Sequence, residues 1–333
     1  MQSCSKVLDI ELQLTRASTP ASPIASRQFL QGRSDLLADI RRAWARGGAS
    51  VALYGQRGVG KTSVVKVASS AFRGQVFYHS ASAGDSFESI ASAMLDHFTR
   101  SLSGGSTLRW APKTESSLTD NGIPERAITA QRVARCLPAI PTLLIIDDFE
   151  RIQDRETKRV FADLIKKISD VRVPARLTFV GIGDHIRDLI EDHQSVSRQV
   201  VEVEVPQLSS EDIHELILRG AKVLGIGFER AAVDQIERPS ENLPFRAHLL
   251  SEGAVHGLLT AIRDGVKSEP VVGVDEVHAA LEYARKSGQY SIEEPAVPDR
   301  LPWTGDRDQR PTTGATPTRN IDGAQPQVVD PAG

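Results

Sequence analysis

Long apolar runs are missing from this chain of 333 residues: no stretch approaches the roughly 20 apolar residues that a membrane-spanning helix requires. The opening segment MQSCSKVLDIELQLTR alternates charged and apolar residues, so it has no continuous apolar centre of signal-peptide length. Cysteine is scarce as well. Cys4 and Cys136 lie far apart, and a single pair matches neither a metal-ligand spacing nor a disulfide framework. Charge of one sign is not in excess: 40 lysines and arginines face 43 acidic residues, a net charge of −3. That balance supplies no general field for nucleic acid or an anionic membrane. A His-Glu-x-x-His zinc motif and a Gly-x-Ser-x-Gly elbow are also absent, which leaves zinc-protease and serine-hydrolase chemistry without residues. We therefore expect a cytoplasmic protein with reduced thiols and no membrane partner. Nucleic acid stays open as a partner only through a local basic surface.

What is present begins with a hydrophobic content of 40 %, enough over this length for a substantial core. Residues 1–27 end in the small, proline-punctuated ASTPASPIAS and read as a flexible leader. From Ser287 the chain holds seven of its 18 prolines and little apolar periodicity, so 287–333 read as a disordered tail that cannot offset its ordering entropy. Between these ends strand and helix patterns alternate. Ser34 stands where a helix cap is wanted, ahead of Leu36, Leu37, Ile40 and Trp44 on one face. Strands are expected at 50–54, 76–79, 142–148, 176–182 and 199–205. TLLIIDD is apolar on both faces and so central, whereas QVVEVEV alternates valine with glutamate and reads as an edge strand. Repeated strand-helix units imply a parallel α/β sheet wrapped by helices, over 28–206. After Pro206 the strand pattern stops, and 207–286 read as a smaller all-α domain that opens on a Ser209–Asp212 capping box and has a helix stop at Gly225.

The chemistry concentrates in LYGQRGVGKTS. Gly55-x-x-x-x-Gly60-Lys61-Thr62 is a phosphate-loop motif between a predicted strand and a predicted helix. Glycines let backbone N–H groups close around phosphates, Lys61 neutralises their charge, and the Thr62 hydroxyl can ligate magnesium. The whole run Gly55, Gln56, Arg57, Gly58, Val59, Gly60, Lys61, Thr62 and Ser63 is thus the candidate cradle for ATP. Its complement is an acidic residue at the end of an apolar strand, and LLIIDD supplies it 86 positions after Lys61. Asp147 is placed to hold Mg2+ and Asp148 to polarise an attacking water. Glu150 is a rival for that second role, or simply a solvated residue at a helix start.

These segments resemble the AAA+ superfamily of P-loop ATPases, in the branch that holds origin-recognition, transposition-target and STAND signalling ATPases. The resemblance covers about residues 28–286 and is carried by FLQGR, LYGQRGVGKTS, LLIIDDFERI, FVGIGD, HQSVSRQ and ENLPFRAHLL. It implies a five-stranded sheet of order 5-1-4-3-2 with a helical lid over the nucleotide. It implies roles, too. Gly32 and Arg33 match the segment that packs beside adenine. Asp184 stands where the family places a polar sensor of the γ-phosphate, although relatives often carry asparagine there and a carboxylate would repel phosphate. Arg198 matches the arginine finger that reaches a neighbouring subunit's nucleotide. Either Arg246, as a nucleotide-sensing arginine, or Pro244 would be the lid contact.

Taken together, the expected function is slow ATP hydrolysis that drives or resets a conformational change in a homo-oligomer, acting on a protein client the sequence does not name. Asp148 is one methylene shorter than the glutamate of fast relatives, and a misplacement of about 1 Å can cost on the order of 100-fold in rate. The alternatives are an ATP-gated switch with little turnover and a DNA-associated ATPase. A P-loop small-molecule kinase fits less well, because no acceptor-binding motif accompanies the acidic pair.

Overall fold

The computed structural model describes residues 10–11, 13–14, 30–46, 49–102, 128–182 and 196–287. All lie within one compact unit, Met1–Tyr290. In chain order they form α1 (Ser34–Ala45), β1 (Ser50–Tyr54), α2 (Lys61–Ser69), β2 (Gln75–Ser80), α3 (Phe87–Leu102), α4 (Ala130–Cys136), β3 (Thr142–Asp147), α5 (Arg155–Val171), β4 (Ala175–Gly181) and β5 (Val200–Glu204). The helical region follows with α6 (Ser210–Leu224), β6 (Gly227–Phe228), α7 (Arg230–Ser240), α8 (Pro244–Arg263), β7 (Val271–Val272) and α9 (Val274–Lys286).

β1 to β5 form one sheet in the order β2-β3-β4-β1-β5 with every pair parallel, the order the resemblance implies read from the other edge. Each strand's alternation sorts its side chains to one of two layers. Leu143 and Ile145 of β3 pack with Leu37, Ile40 and Trp44 of α1 and Val64 of α2. Leu144 and Ile146 pack on the opposite face with Ile90, Met94, Phe161 and Ile165. All six residues of β3 are buried, as a central strand requires, while β5 at the edge exposes Glu202 and Glu204 and buries Val203. Trp44 crosses from α1 to donate its indole N–H to Thr178 Oγ1 at 2.9 Å, so this buried hydroxyl of β4 has a partner.

The helical region has a separate core built from Ile213, Ile217, Ile236, Leu250, Leu258 and Val277. Ser209 and Asp212 close the expected capping box, and Gly225 ends α6 at φ 65°. Three details differ from expectation. Ser34 is the first helical residue rather than the cap; Arg33 takes the cap position without a side-chain cap bond, because a guanidinium has no acceptor to offer the helix N–H groups. The strand pattern does not end at Pro206, since β6 and β7 pair in parallel over two residues each. Such short pieces carry no readable periodicity. Ile10 and Leu14, inside the expected leader, are buried in the helical core, and Glu11 pairs with Arg263 at 2.6 Å. Apart from residues 10–11 and 13–14, the expected leader up to residue 27 lies outside the described residues, as does the expected tail from residue 288.

Candidate functional site

The motif loop leaves the C-terminal end of β1 and enters α2 at Lys61, where the first helical N–H groups have no partner within the helix. Gly58 and Gly60 have φ of 85° and 92°, conformations that residues with a Cβ rarely adopt. Gly55 is required by contact instead: a Cβ there would lie 2.6 Å from the Val205 carbonyl. A Cβ on Gly60 would meet nothing within 4 Å, so the loop opens onto free space. Val59 is only 1 % exposed and anchors the loop in the core, while Gln56 and Arg57 are exposed. No acidic side chain occupies the first turn of α2, and its N-terminus keeps its attraction for an anion.

Lys61 folds over this loop, donating from Nζ to the carbonyls of Gly55 at 2.9 Å and Gln56 at 3.1 Å. Burial lowers its pKa; Glu150, Asp147 and Asp148, in that order, pull the other way, and Arg57 adds to the lowering. The loop lysine and the acidic end of β3 are therefore in one electrostatic site, although β4 lies between their strands. Asp147 is 1 % exposed and its two oxygens are held differently: Oδ1 accepts from the Asp148 N–H at 2.9 Å, and Oδ2 accepts from the Tyr78 hydroxyl at 2.5 Å. Burial and this bond push the Tyr78 phenol well above its ordinary range, so it stays a donor.

Immediately after Asp147 the backbone turns sharply. Asp148 has φ 54°, and Phe149–Arg151 form a single 3-10 turn. Phe149 is fully buried against Phe179, with ring centroids 4.6 Å apart, and lies 6.1 Å from Phe161. Burial of such a ring contributes about 1.5–3 kcal/mol and each aromatic contact about 0.5–1.5 kcal/mol. The turn is pinned from beneath, and the two carboxylates that flank Phe149 leave it in different directions. Asp148 Oδ2 accepts from Ser80 Oγ of β2 at 2.9 Å. Glu150 Oε2 is buried without a hydrogen-bond partner among the described residues, over Gly181.

Arg33 is 3 % exposed and does not lie free beside the loop. Its Nη2 donates to the carbonyls of Val59 at 3.2 Å and Pro206 at 2.6 Å, tying the loop to the point where β5 gives way to the helical region. Burial lowers its pKa, and Asp212 partly offsets that. Gly32 has φ 65°, and a Cβ there would strike the Asp212 carboxylate at 2.6 Å. Two further links join loop and helical region: Gln207 donates to Gln56 Oε1 at 2.8 Å, and the Phe245 N–H to the Gly58 carbonyl at 3.3 Å. Pro244 opens α8 and Phe245, after it, touches the loop; Arg246 pairs with Glu241 at 2.6 Å. Arg198 is exposed in the 3-10 turn before β5. Asp184 lies outside the described residues.

The residues fit a magnesium-bound nucleotide: a glycine loop open above Gly60, a helix N-terminus, Lys61, and in Thr62 and Asp147 two oxygen groups that would hold the metal. Tyr78, Ser80, Phe245 and Gly181 were not found by sequence reasoning. Only strand alternation, which puts Tyr78 and Ser80 on one face of β2, hinted at the first two.

A parallel sheet with this loop after β1 and an acidic end on β3 defines a P-loop nucleotide-binding α/β protein. Residues 30–180 match the AAA ATPase domain family, and the chain carries an AAA+ P-loop domain followed by a helical region. Solved structures agree on the fold. The Thermotoga maritima RuvB Holliday junction branch migration motor aligns at 15 % identity and TM-score 0.51, over 76 % of this chain and 70 % of that one. Aeropyrum pernix ORC1, solved in complex with DNA, aligns at 14 % identity and TM-score 0.55, over 77 % and 66 %. A Walker-type ATPase of Pyrococcus abyssi aligns at 14 % and 0.54, over 81 % and 75 %. No curated protein matches the sequence. Among the described residues no helix is long and apolar enough to cross a membrane.

Proposed function

We propose that the chain binds ATP with Mg2+ and hydrolyses it slowly to drive or reset a conformational change, in a homo-oligomer whose neighbouring copies complete each other's sites. The observation that carries this reading is the set of bonds between loop and helical region. Gly58 and Gln56 of the loop are held by Phe245 and Gln207 of the helical region, and Val59 is tied through Arg33 to Pro206 at its edge, so a phosphate that reshapes the loop must strain or release the helical region. Lys61, which bonds two loop carbonyls, would exchange them for phosphate oxygens. Thr62 and Asp147 would hold the magnesium ion, which would supply charge neutralisation for the phosphates. Arg198, exposed before the edge strand, is the group offered to a neighbour.

An ATP-gated switch with little turnover is the second reading, favoured by the hydrogen bond that draws Asp148 towards Ser80. A DNA-associated role has only the fold likeness to RuvB and ORC1 behind it, and a net charge of −3 adds no support. ATP titration and steady-state hydrolysis over a range of protein concentrations, with Lys61→Ala as blank, test the proposal. Specific activity that climbs with concentration and collapses in Arg198→Ala is the expected result. Unchanged ATP affinity in Lys61→Ala would refute the loop assignment, and a flat, near-zero rate with intact binding would favour the switch.

A further inference from the structure

The end of β3 offers two carboxylates for the water that attacks the γ-phosphate, and the sheet order separates them. β2 lies on one side of β3; β4, and beyond it β1 with the phosphate loop, lie on the other. Asp148 sits in the left-handed region at φ 54°, and its Oδ2 accepts the Ser80 hydroxyl from β2. It is drawn to the side away from the loop. Glu150 goes the other way, its Oε2 lying 2.6 Å from where a Cβ on Gly181 would stand. Gly181 is the last residue of β4 and pairs in register with Tyr54, the residue before the first loop glycine.

Gly181 thus leaves the space that the Glu150 carboxylate fills. That carboxylate is polar, buried at Oε2 and without a hydrogen-bond partner among the described residues, a costly arrangement unless something else completes it.

We propose that Glu150, three residues beyond Asp147 rather than next to it, is the carboxylate that orients and deprotonates the attacking water, with Asp148 a positioning residue that holds the turn through Ser80. The inference rests on the hydrolytic reading above. In the step, the water oxygen bonds to the γ-phosphorus as the bond to the β–γ bridging oxygen breaks; the water proton passes to Glu150, and ADP and phosphate leave. The pinned Phe149 turn keeps the carboxylate in place.

The test is single-turnover hydrolysis with protein in excess over radiolabelled Mg-ATP, for the parent, Glu150→Gln and Asp148→Asn, with ATP affinity measured separately on each. Glu150→Gln keeps the shape of the side chain and removes only its basicity. The proposal expects its hydrolysis to fall at least 100-fold, with ATP affinity within threefold of the parent and unhydrolysed ATP recovered from the complex, while Asp148→Asn loses at least tenfold less. It is overturned if Glu150→Gln keeps more than a tenth of the parental rate, or if Asp148→Asn loses as much or more. A parent that binds ATP and never turns it over defeats the hydrolytic reading itself, and this assignment with it.

Discussion

Replacing Arg33 by methionine separates two accounts of the same residue. In the structure its guanidinium is buried and bonds the Val59 and Pro206 carbonyls. Methionine keeps most of the stem's packing and deletes both bonds. Two bonds from a charged donor are worth about 1.5–3 kcal/mol each, but the variant also escapes the desolvation of a buried cation, which burial already disfavours here. Removing the charge therefore returns part of the loss, and we expect Arg33→Met to destabilise the protein by about 3 kcal/mol, the low end of what breaking a buried charged network costs. Arg33→Lys should fall between the two, since one ammonium cannot span both carbonyls in the guanidinium's fork geometry. Urea unfolding of the three proteins without nucleotide measures this directly. A loss below about 1 kcal/mol in Arg33→Met, with ATP affinity nonetheless reduced, would refute the bridging argument and favour the adenine contact that the resemblance implies.

Two further perturbations test other parts of the molecule. His248 lies in α8 against Leu14, Leu216 and Phe228, its Nε2 sealed from solvent without a hydrogen-bond partner among the described residues, and burial lowers its pKa to about 4. A base whose pKa is depressed on folding binds fewer protons in the native state, so its contribution is intact above the unfolded value near 6.5 and is lost as pH falls towards 4. The drop is at most about 3 kcal/mol. Glu252, raised by burial in the same cavity, titrates in the opposite sense; the difference between parent and His248→Leu stability across pH 4–7 isolates the histidine, and parallel curves would refute the assignment. Tyr78→Phe removes the donor to the buried Asp147 Oδ2, which should cost about 1.5–3 kcal/mol without ligand and less under saturating Mg-ATP, where the metal shell supplies a partner; an unchanged unfolding midpoint in both conditions would show that the bond carries no weight.

The chain's own pattern determined the sheet, its helical wrapping and the phosphate loop. Those features are local: β3 reads as central because apolar residues run without interruption, β5 reads as an edge because valine alternates with glutamate, and the loop's glycines stand at a spacing that only a narrow set of backbone shapes can use. The capping box of α6 and its glycine stop are equally local, decided by side chains three residues apart. What the sequence could not decide is where side chains from distant segments converge. Arg33 precedes a helix like many loop arginines, and only the approach of Val59 and Pro206 turns it into a bridge. Ile10 and Leu14 look like part of a polar leader until the helical core closes over them. The choice between Asp148 and Glu150 depends on one left-handed residue and on the missing side chain of Gly181, on a strand some 30 residues further along. Spacing along the chain records which residues are present; the direction each carboxylate takes from the end of β3 is set by which strand lies on which side of it, and that is a property of the folded sheet alone.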